Sequence, residues 1–255
     1  MHIDYQDYDV IVIGAGFSGA VLAEQLASKA NFSVLVLEQR EHTAGNCYDY
    51  QNEHGIRVHK YGPHLFHTDN QNVWNYLSQF TEWTPYEHEV LSRIDGQLVP
   101  LPFNLNTLDK LFDKPDAERI ATLLVKEYGE GKKIPILTLR KSDHPELRQI
   151  AELVYEKFFV NYTSKQWGCS PESISPAVLA RVPVVISRDN RYFQDPYQAI
   201  PKQGYHGLIE KLLDHPNITV QLNVDALAVL QVSDTNKVVI NGHIFDGIVA
   251  YTGML

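Results

Sequence analysis

At 255 residues, 44% hydrophobic and 21% charged, the chain is long enough for two compact domains, and no apolar run approaches the roughly 18 residues of a membrane span. A formal charge of −9 excludes general binding to a phosphate backbone, so any anionic ligand must meet a few local cations. Two cysteines without CxxC spacing, Cys47 and Cys169, and an acidic start "MHIDYQDYDV" that lacks the pattern of a signal peptide predict a reducing, cytoplasmic setting.

The first forty residues read strand, helix, strand. "DYDVIVIG" and "FSVLVLE" are apolar runs suited to strands buried on both faces. Between them "FSGAVLAEQLASKA" sets Val21, Leu22, Gln25 and Leu26 at helical spacing, with small residues towards the preceding strand. The unit is a right-handed βαβ. Residues 69–167 change to a helical texture. Asp69 is expected to cap "NQNVWNYLSQF", whose stripe is Val73, Tyr76, Leu77 and Phe80. Pro115 opens a helix through Ile120, Leu123 and Leu124, and Pro145 opens "HPELRQIAELVYEKFF". After Arg181, "VPVVIS", "ITVQL", "ALAVLQV", "KVVIN", "HIF" and "GIVAYTG" read as strands, with Asn241-Gly242 a two-residue hairpin turn. A buried strand at the very end suggests that the sequence is one portion of a longer polypeptide.

"GAGFSG", residues 14–19, fits G-x-G-x-x-G in the context that gives the motif meaning, directly after a strand and opening a helix. Gly14 allows the tight turn, Gly16 lets backbone approach a diphosphate, and Gly19 lets helix and strand pack closely. Phe17, Ser18 and Gly19 then offer the N–H groups of a helix start. Glu38 ends the second strand nineteen residues past Gly19, placed to accept hydrogen bonds from ribose hydroxyls and to repel a 2′-phosphate. Gln39, Arg40, Gly45 and Asn46 follow. This order resembles the glutathione-reductase-like flavoproteins and favours FAD over NAD. Thr252-Gly253 resembles the end of that class's returning strand, and Val224 the backbone that meets adenine.

"YGPHLFHT" (61–68), "LPFNLNT" (101–107), "FFVNYTSKQWG" (158–168), "ARVPVVISRDNRYF" (180–193) and "AYTGM" (250–254) together resemble the UDP-galactopyranose mutase family, in that family's order. The resemblance covers the chain from Asp9 to its last residue. Two departures are small: Ala44 stands where the family usually has glycine, and Met254 where it often has proline. The resemblance implies an α/β fold in which a Rossmann-like FAD-binding domain is interleaved with a helical domain and an antiparallel sheet. It assigns residues 1–75 and 205–255 to the FAD-binding domain, whose C-terminal part is missing, 76–181 to a helical substrate-binding domain, and 182–204 to the start of the sheet. It implies interconversion of UDP-galactopyranose and UDP-galactofuranose through a sugar adduct on N5 of reduced FAD, without net redox, feeding galactofuranose glycan synthesis. A homodimer is the implied assembly.

Residue by residue, the resemblance sets Tyr61, Gly62 and His64 beside the flavin, His64 as a catalytic sensor of its redox state. It assigns Arg181 the leaving diphosphate and Tyr192 a second phosphate contact. Phe158, Phe159 and Tyr162 supply faces for uracil, Thr163 reads its edges, Trp167 walls the sugar, and Asn104 lines the nucleotide cleft. Phe158 equally continues the stripe of Ile150 and Val154 as core, and Asn104 equally reads as a cap. His64 and His67 have no further ligand at metal spacing, so no metal is expected. With the family's later FAD-binding segment absent, this chain alone is expected to bind FAD weakly or not at all and to turn over no substrate. The alternatives are an FAD-dependent oxidoreductase of the amine-oxidase type and an inactive nucleotide-binding fragment.

Overall fold

A computed structural model describes residues 4–160, 165, 168, 173, 175, 182–234, 237–240 and 242–253. The chain forms two compact units, Met1–Tyr86 with Asp195–Leu255, and Glu87–Gln194. Residues 182–204, expected to begin one antiparallel domain, are divided between the two.

The first unit is built on a parallel sheet of β1 (Val10–Ile13), β2 (Val34–Leu37), β12 (Ile218–Gln221) and β16 (Ile248–Tyr251), in the order β12-β2-β1-β16. The two central strands, β1 and β2, are apolar throughout because both of their faces are covered, while the outer β12 carries Thr219 and Gln221 and β16 is exposed at its ends. Val10, Val12, Val34 and Val36 meet helices α1 (Phe17–Ala30) and α7 (Gly204–Leu213), packing on Ala20, Ala23, Leu208 and Leu212. Ile11, Leu35 and Leu37 point the other way, onto Ala226, Ile240 and Phe245. That second layer holds α8 (Ala226–Val229) and the antiparallel strands β13 (Leu230–Val232), β14 (Val238–Ile240) and β15 (His243–Ile244). The expected strand "ALAVLQV" therefore starts as a helical turn. Asp225 caps it by accepting from the Leu227 N–H at 3.0 Å, a local bond that outcompetes the strand propensity of the valine and leucines. Ile240 pairs with His243, the register of a two-residue hairpin, although Asn241 itself lies outside the described residues.

Two small antiparallel sheets complete this unit. One pairs β3 (Asp49–Gln51) with β4 (Arg57–His59), and the other sets β11 (Tyr197–Pro201) between β5 (Phe66–Thr68) and β6 (Trp83–Pro85). Helix α2 (Gln71–Leu77) is capped by Asn70, which accepts from the Asn72 and Val73 N–H groups, and not by Asp69. Val73 faces solvent at 40% exposure; Tyr76 and Leu77, with Phe80 just beyond the helix, pack on the sheet's core, and Trp74 stacks on Phe66, Trp83 and Tyr197.

In the second unit β7 (Val90–Ile94) and β8 (Gln97–Leu101) form a hairpin inside the stretch expected to be helical. Asp95 and Gly96 turn it with φ 47° and 85°, the doubly positive geometry that a two-residue hairpin needs. Helices α3 (Leu105–Leu111), α4 (Lys114–Tyr128), α5 (Ile136–Leu139) and α6 (Pro145–Val154) enclose a core of Leu108, Ile120, Leu124, Leu147 and Val154. A strand pair, β9 (Lys133–Ile134) and β10 (Val184–Val185), closes it; "VPVVIS" contributes only those two residues as strand. Among the described residues no helix is long and apolar enough to cross a membrane.

Candidate nucleotide-binding site

The fingerprint turn is held by backbone bonds at each end. The Gly14 N–H donates to the Leu37 carbonyl at 2.8 Å, and Thr252 bonds the Ile13 carbonyl through both its N–H and its hydroxyl. Gly14 stands at φ 103°, where a side chain would be strained and would press on Thr252 Oγ1. A Cβ on Gly19 would overlap the Gly14 carbonyl oxygen, so α1 can start this close to the turn only with glycine there. Gly16 is the exception of the three. Its Cβ would meet nothing nearer than the Gly45 Cα at 3.8 Å. It is also the N-cap of α1, with no side chain capping the helix, so the first-turn N–H groups of Phe17, Ser18 and Gly19 keep the partial positive charge of a helix start.

Glu38 is buried and braces this turn. One carboxylate oxygen accepts the Ala15 N–H at 2.8 Å and the other the Arg40 N–H at 2.9 Å. Beyond β2 the chain stays clamped, since the Val224 and Asn223 N–H groups donate to the Glu38 and Arg40 carbonyls. The Ala44 N–H donates to the Ala15 carbonyl at 2.8 Å, which seats Gly45 against Gly16. Ala44 itself sits at φ 70°, ψ 0°, a left-handed conformation that explains why glycine is usual at this point.

These contacts surround a cavity of about 460 Å³. It gathers ten of the residues expected from sequence to bind the cofactor: Gly14, Gly16, Glu38, Gln39, Arg40, Gly45, Asn46, Val224, Thr252 and Gly253. Asp225 and Leu227, which no motif marks, join them, as does Tyr251 of the "AYTGM" segment. The residues present fit a dinucleotide. Arg40 donates to Asn46 Oδ1 at 2.9 Å through Nη2, while its Nη1 is buried with no hydrogen-bond partner among the described residues. An uncapped helix start and an arginine lining the same cavity are what a diphosphate would engage.

Tyr61, Gly62 and His64 do not line this cavity. Tyr61 lies behind it, beneath the Arg40 guanidinium at 4.5 Å. Gly62 turns the chain at φ 106°, and His64 Nδ1 bonds the Gly62 carbonyl at 3.0 Å, its ring beside His59 and Tyr205. Nearby, Asp49 is wholly buried and accepts the Tyr205 and His206 N–H groups at the start of α7, with Arg57 Nη1 at 3.3 Å. Burial, with Asp49 adding to it, pushes the Cys47 thiol up, away from the reactive thiolate. Burial first, then Cys47 and Asp49, likewise raises the Tyr205 phenol.

In the other unit, three expected substrate contacts have different roles. Phe158 and Phe159 are core: Phe158 lies edge-on to Phe103 at 5.6 Å, and Phe159 stacks with Tyr155 at 6.4 Å. Both are buried, at 7% and 6% exposure, which is the core alternative read for Phe158. Asn104 is 1% exposed and caps α3 in a capping box with Thr107, its amide nitrogen donating to the Asp189 carbonyl and to Asn190. The cap reading therefore holds for it. Tyr192 is half-buried against His88 and Phe193. Beside it, Arg191 donates to Asp189 and lowers its carboxyl below the usual range. Tyr162, Thr163, Trp167 and Arg181 lie outside the described residues. Among the described residues no cluster could hold a metal ion.

Fold and cavity define a dinucleotide-binding protein of the Rossmann type. Residues 12–80 match the family model of the NAD(P)-binding Rossmann-like domain, and residues 157–254 that of UDP-galactopyranose mutase. A probable UDP-galactopyranose mutase of Klebsiella pneumoniae is 39% identical over 86% of the chain, and a dTDP-fucopyranose mutase of Escherichia coli is 39% identical over 84%. The chain spans 56% of the length of each. A crystal structure of reduced UDP-galactopyranose mutase shares the fold with a TM-score of 0.58 at 18% identity, covering 97% of this chain and 58% of that one. The chain is a relative of the UDP-galactopyranose mutases over most of its length.

Proposed function

We propose that this chain carries the nucleotide-binding half of an FAD-dependent isomerase that interconverts UDP-galactopyranose and UDP-galactofuranose, acting in the cytoplasm as a homodimer and supplying glycan synthesis. The observation that carries the reading is the cavity itself. It brings Gly14, Gly16, Glu38, Arg40 and Asn46 together.

Residues 16–19 and Arg40 would hold the FAD diphosphate, and Glu38 with the backbone at Val224 the adenosine end. Reduced FAD supplies a nucleophile for the anomeric carbon of the sugar. The chain's own residues then have two tasks, to pin the sugar nucleotide and to stabilise the departing diphosphate. Arg181 is assigned the second task, because a guanidinium stays charged and binds phosphate in two places. Tyr162, Thr163 and Trp167 are assigned the nucleotide and sugar, and Tyr192 a phosphate contact. His64 is assigned a place at the flavin. Identity to the Escherichia coli relative is also 39%, which favours a second reading in which the substrate is dTDP-fucopyranose.

Chromatography of UDP-galactose and dTDP-fucose, each incubated with the natural polypeptide, FAD and dithionite, separates these readings. Formation of UDP-galactofuranose only under reduction is expected. Conversion of dTDP-fucose alone would support the second substrate. Oxidation of an amine with peroxide release would instead point to the oxidase class.

A further inference from the structure

His42 belongs to no motif in the chain, yet it is one of the most fixed polar side chains near the cavity. It is 5% exposed, its ring stacks on Tyr48 at 3.8 Å and 18°, and both ring nitrogens are engaged. Nδ1 lies 2.7 Å from the Thr43 carbonyl, and Nε2 lies 2.8 Å from the Tyr61 hydroxyl. A carbonyl oxygen only accepts, so Nδ1 donates, and in the singly protonated ring Nε2 accepts the Tyr61 proton. Tyr61 is itself 43% exposed, so this bond holds a ring that solvent reaches. Its ring lies under the Arg40 guanidinium at 4.5 Å, within the range of a cation–π contact. Arg40 is then held from two sides, by that ring and by Asn46 Oδ1, with Nη1 buried and unsatisfied.

We propose that His42 is a positioning residue for dinucleotide binding: it fixes Tyr61, Tyr61 fixes the plane of Arg40, and Arg40 presents its guanidinium to the diphosphate. This rests on the dinucleotide reading of the cavity. A guanidinium grips phosphate through parallel N–H bonds, so a wrong plane forfeits affinity even when the charge is near. The chain of contacts fixes that plane before the ligand arrives, which reduces the ordering that binding must impose.

Equilibrium dialysis of ADP and of adenosine against the 255-residue chain and its variants tests the proposal. His42→Phe keeps the stack on Tyr48 and removes both nitrogens. Tyr61→Phe keeps the ring under Arg40 and removes the hydroxyl. Each is expected to weaken ADP about three- to tenfold, the worth of one hydrogen bond, with adenosine affinity unchanged. His42→Gln, whose amide oxygen can accept the Tyr61 proton, is expected to restore most of the ADP affinity. In an Arg40→Met background, Tyr61→Phe is expected to have no further effect on ADP. Parallel loss of ADP and adenosine, or a loss that persists without Arg40, would overturn the proposal and leave His42 as fold support. Should His42→Phe not fold, the exposed Tyr61 still carries the test. If Arg40→Met weakens ADP while neither Tyr61→Phe nor His42→Phe does, the positioning role falls and the cavity reading stands. If the folded wild-type chain takes up no ADP, both fall.

Discussion

Gly19→Ala is expected to abolish measurable FAD binding and to destabilise the chain by about 3 kcal/mol or more, because the added methyl overlaps the Gly14 carbonyl oxygen. The clash is with backbone, so no rotamer change relieves it. Thr252 Oγ1, 3.1 Å from the same Cβ position, closes the other side. To accommodate the methyl, α1 must draw away from the turn, and the helix start then no longer points at the cavity. Gly16→Ala is the informative companion. Its φ of −76° suits any residue, and its methyl would have 3.8 Å of clearance to Gly45. It should fold with near wild-type stability and still lose affinity, since the methyl occupies the approach that the diphosphate needs. Thermal unfolding and FAD titration of both variants check this. Wild-type FAD affinity in Gly16→Ala would mean that the second glycine has no ligand-facing role.

The second large effect is expected at Asp49. Its carboxylate is fully buried, caps α7 through two N–H groups and lies 3.3 Å from Arg57. Asp49→Ala leaves a half-buried guanidinium and two helix-start donors unmatched, a loss of about 3–5 kcal/mol. For a chain of this size that lowers the melting temperature by about 6–20 °C. Adding Arg57→Met should recover part of it, because most of the loss is the stranded charge. A Cβ added to Gly204, at φ 83°, would overlap the Asp49 carboxylate and the Arg57 guanidinium, which shows how little room the cap leaves. The expected injury reaches the cavity too, as β3 follows directly on the 45–47 turn that seats Gly45 against Gly16. Urea denaturation of the single and double variants measures it; a cost below about 1 kcal/mol would mean that water reaches the carboxylate.

What the sequence made legible follows from burial. The two central strands of the parallel sheet are apolar on both faces, so β1 and β2 announce themselves as unbroken runs. The fingerprint glycines, Glu38 and Arg40 are legible because a diphosphate and a ribose demand those residue types at that spacing. The short strands β3 to β6 are three residues each and half exposed, so they carry no periodicity to read. The β7–β8 hairpin was readable from Asp95-Gly96, but helical stripes on either side obscured it. Phe158 and Phe159 could not be assigned from sequence, because an aromatic ring serves a core and a stacking platform equally well. Asp225 and Leu227 reach the cavity only because Asp225 turns the chain there, and the role of His42 is visible only once Tyr61 comes back to it from nineteen residues away.

The claim on which the functional reading rests is that residues 14–19 and 38–46 enclose a dinucleotide site. Titration of FAD into the 255-residue chain, followed by flavin fluorescence with ADP as competitor, tests it most directly. Weak but saturable binding is predicted, reversed by ADP and removed by Gly16→Ala. No saturation, or saturation that neither ADP nor Gly16→Ala alters, would contradict it.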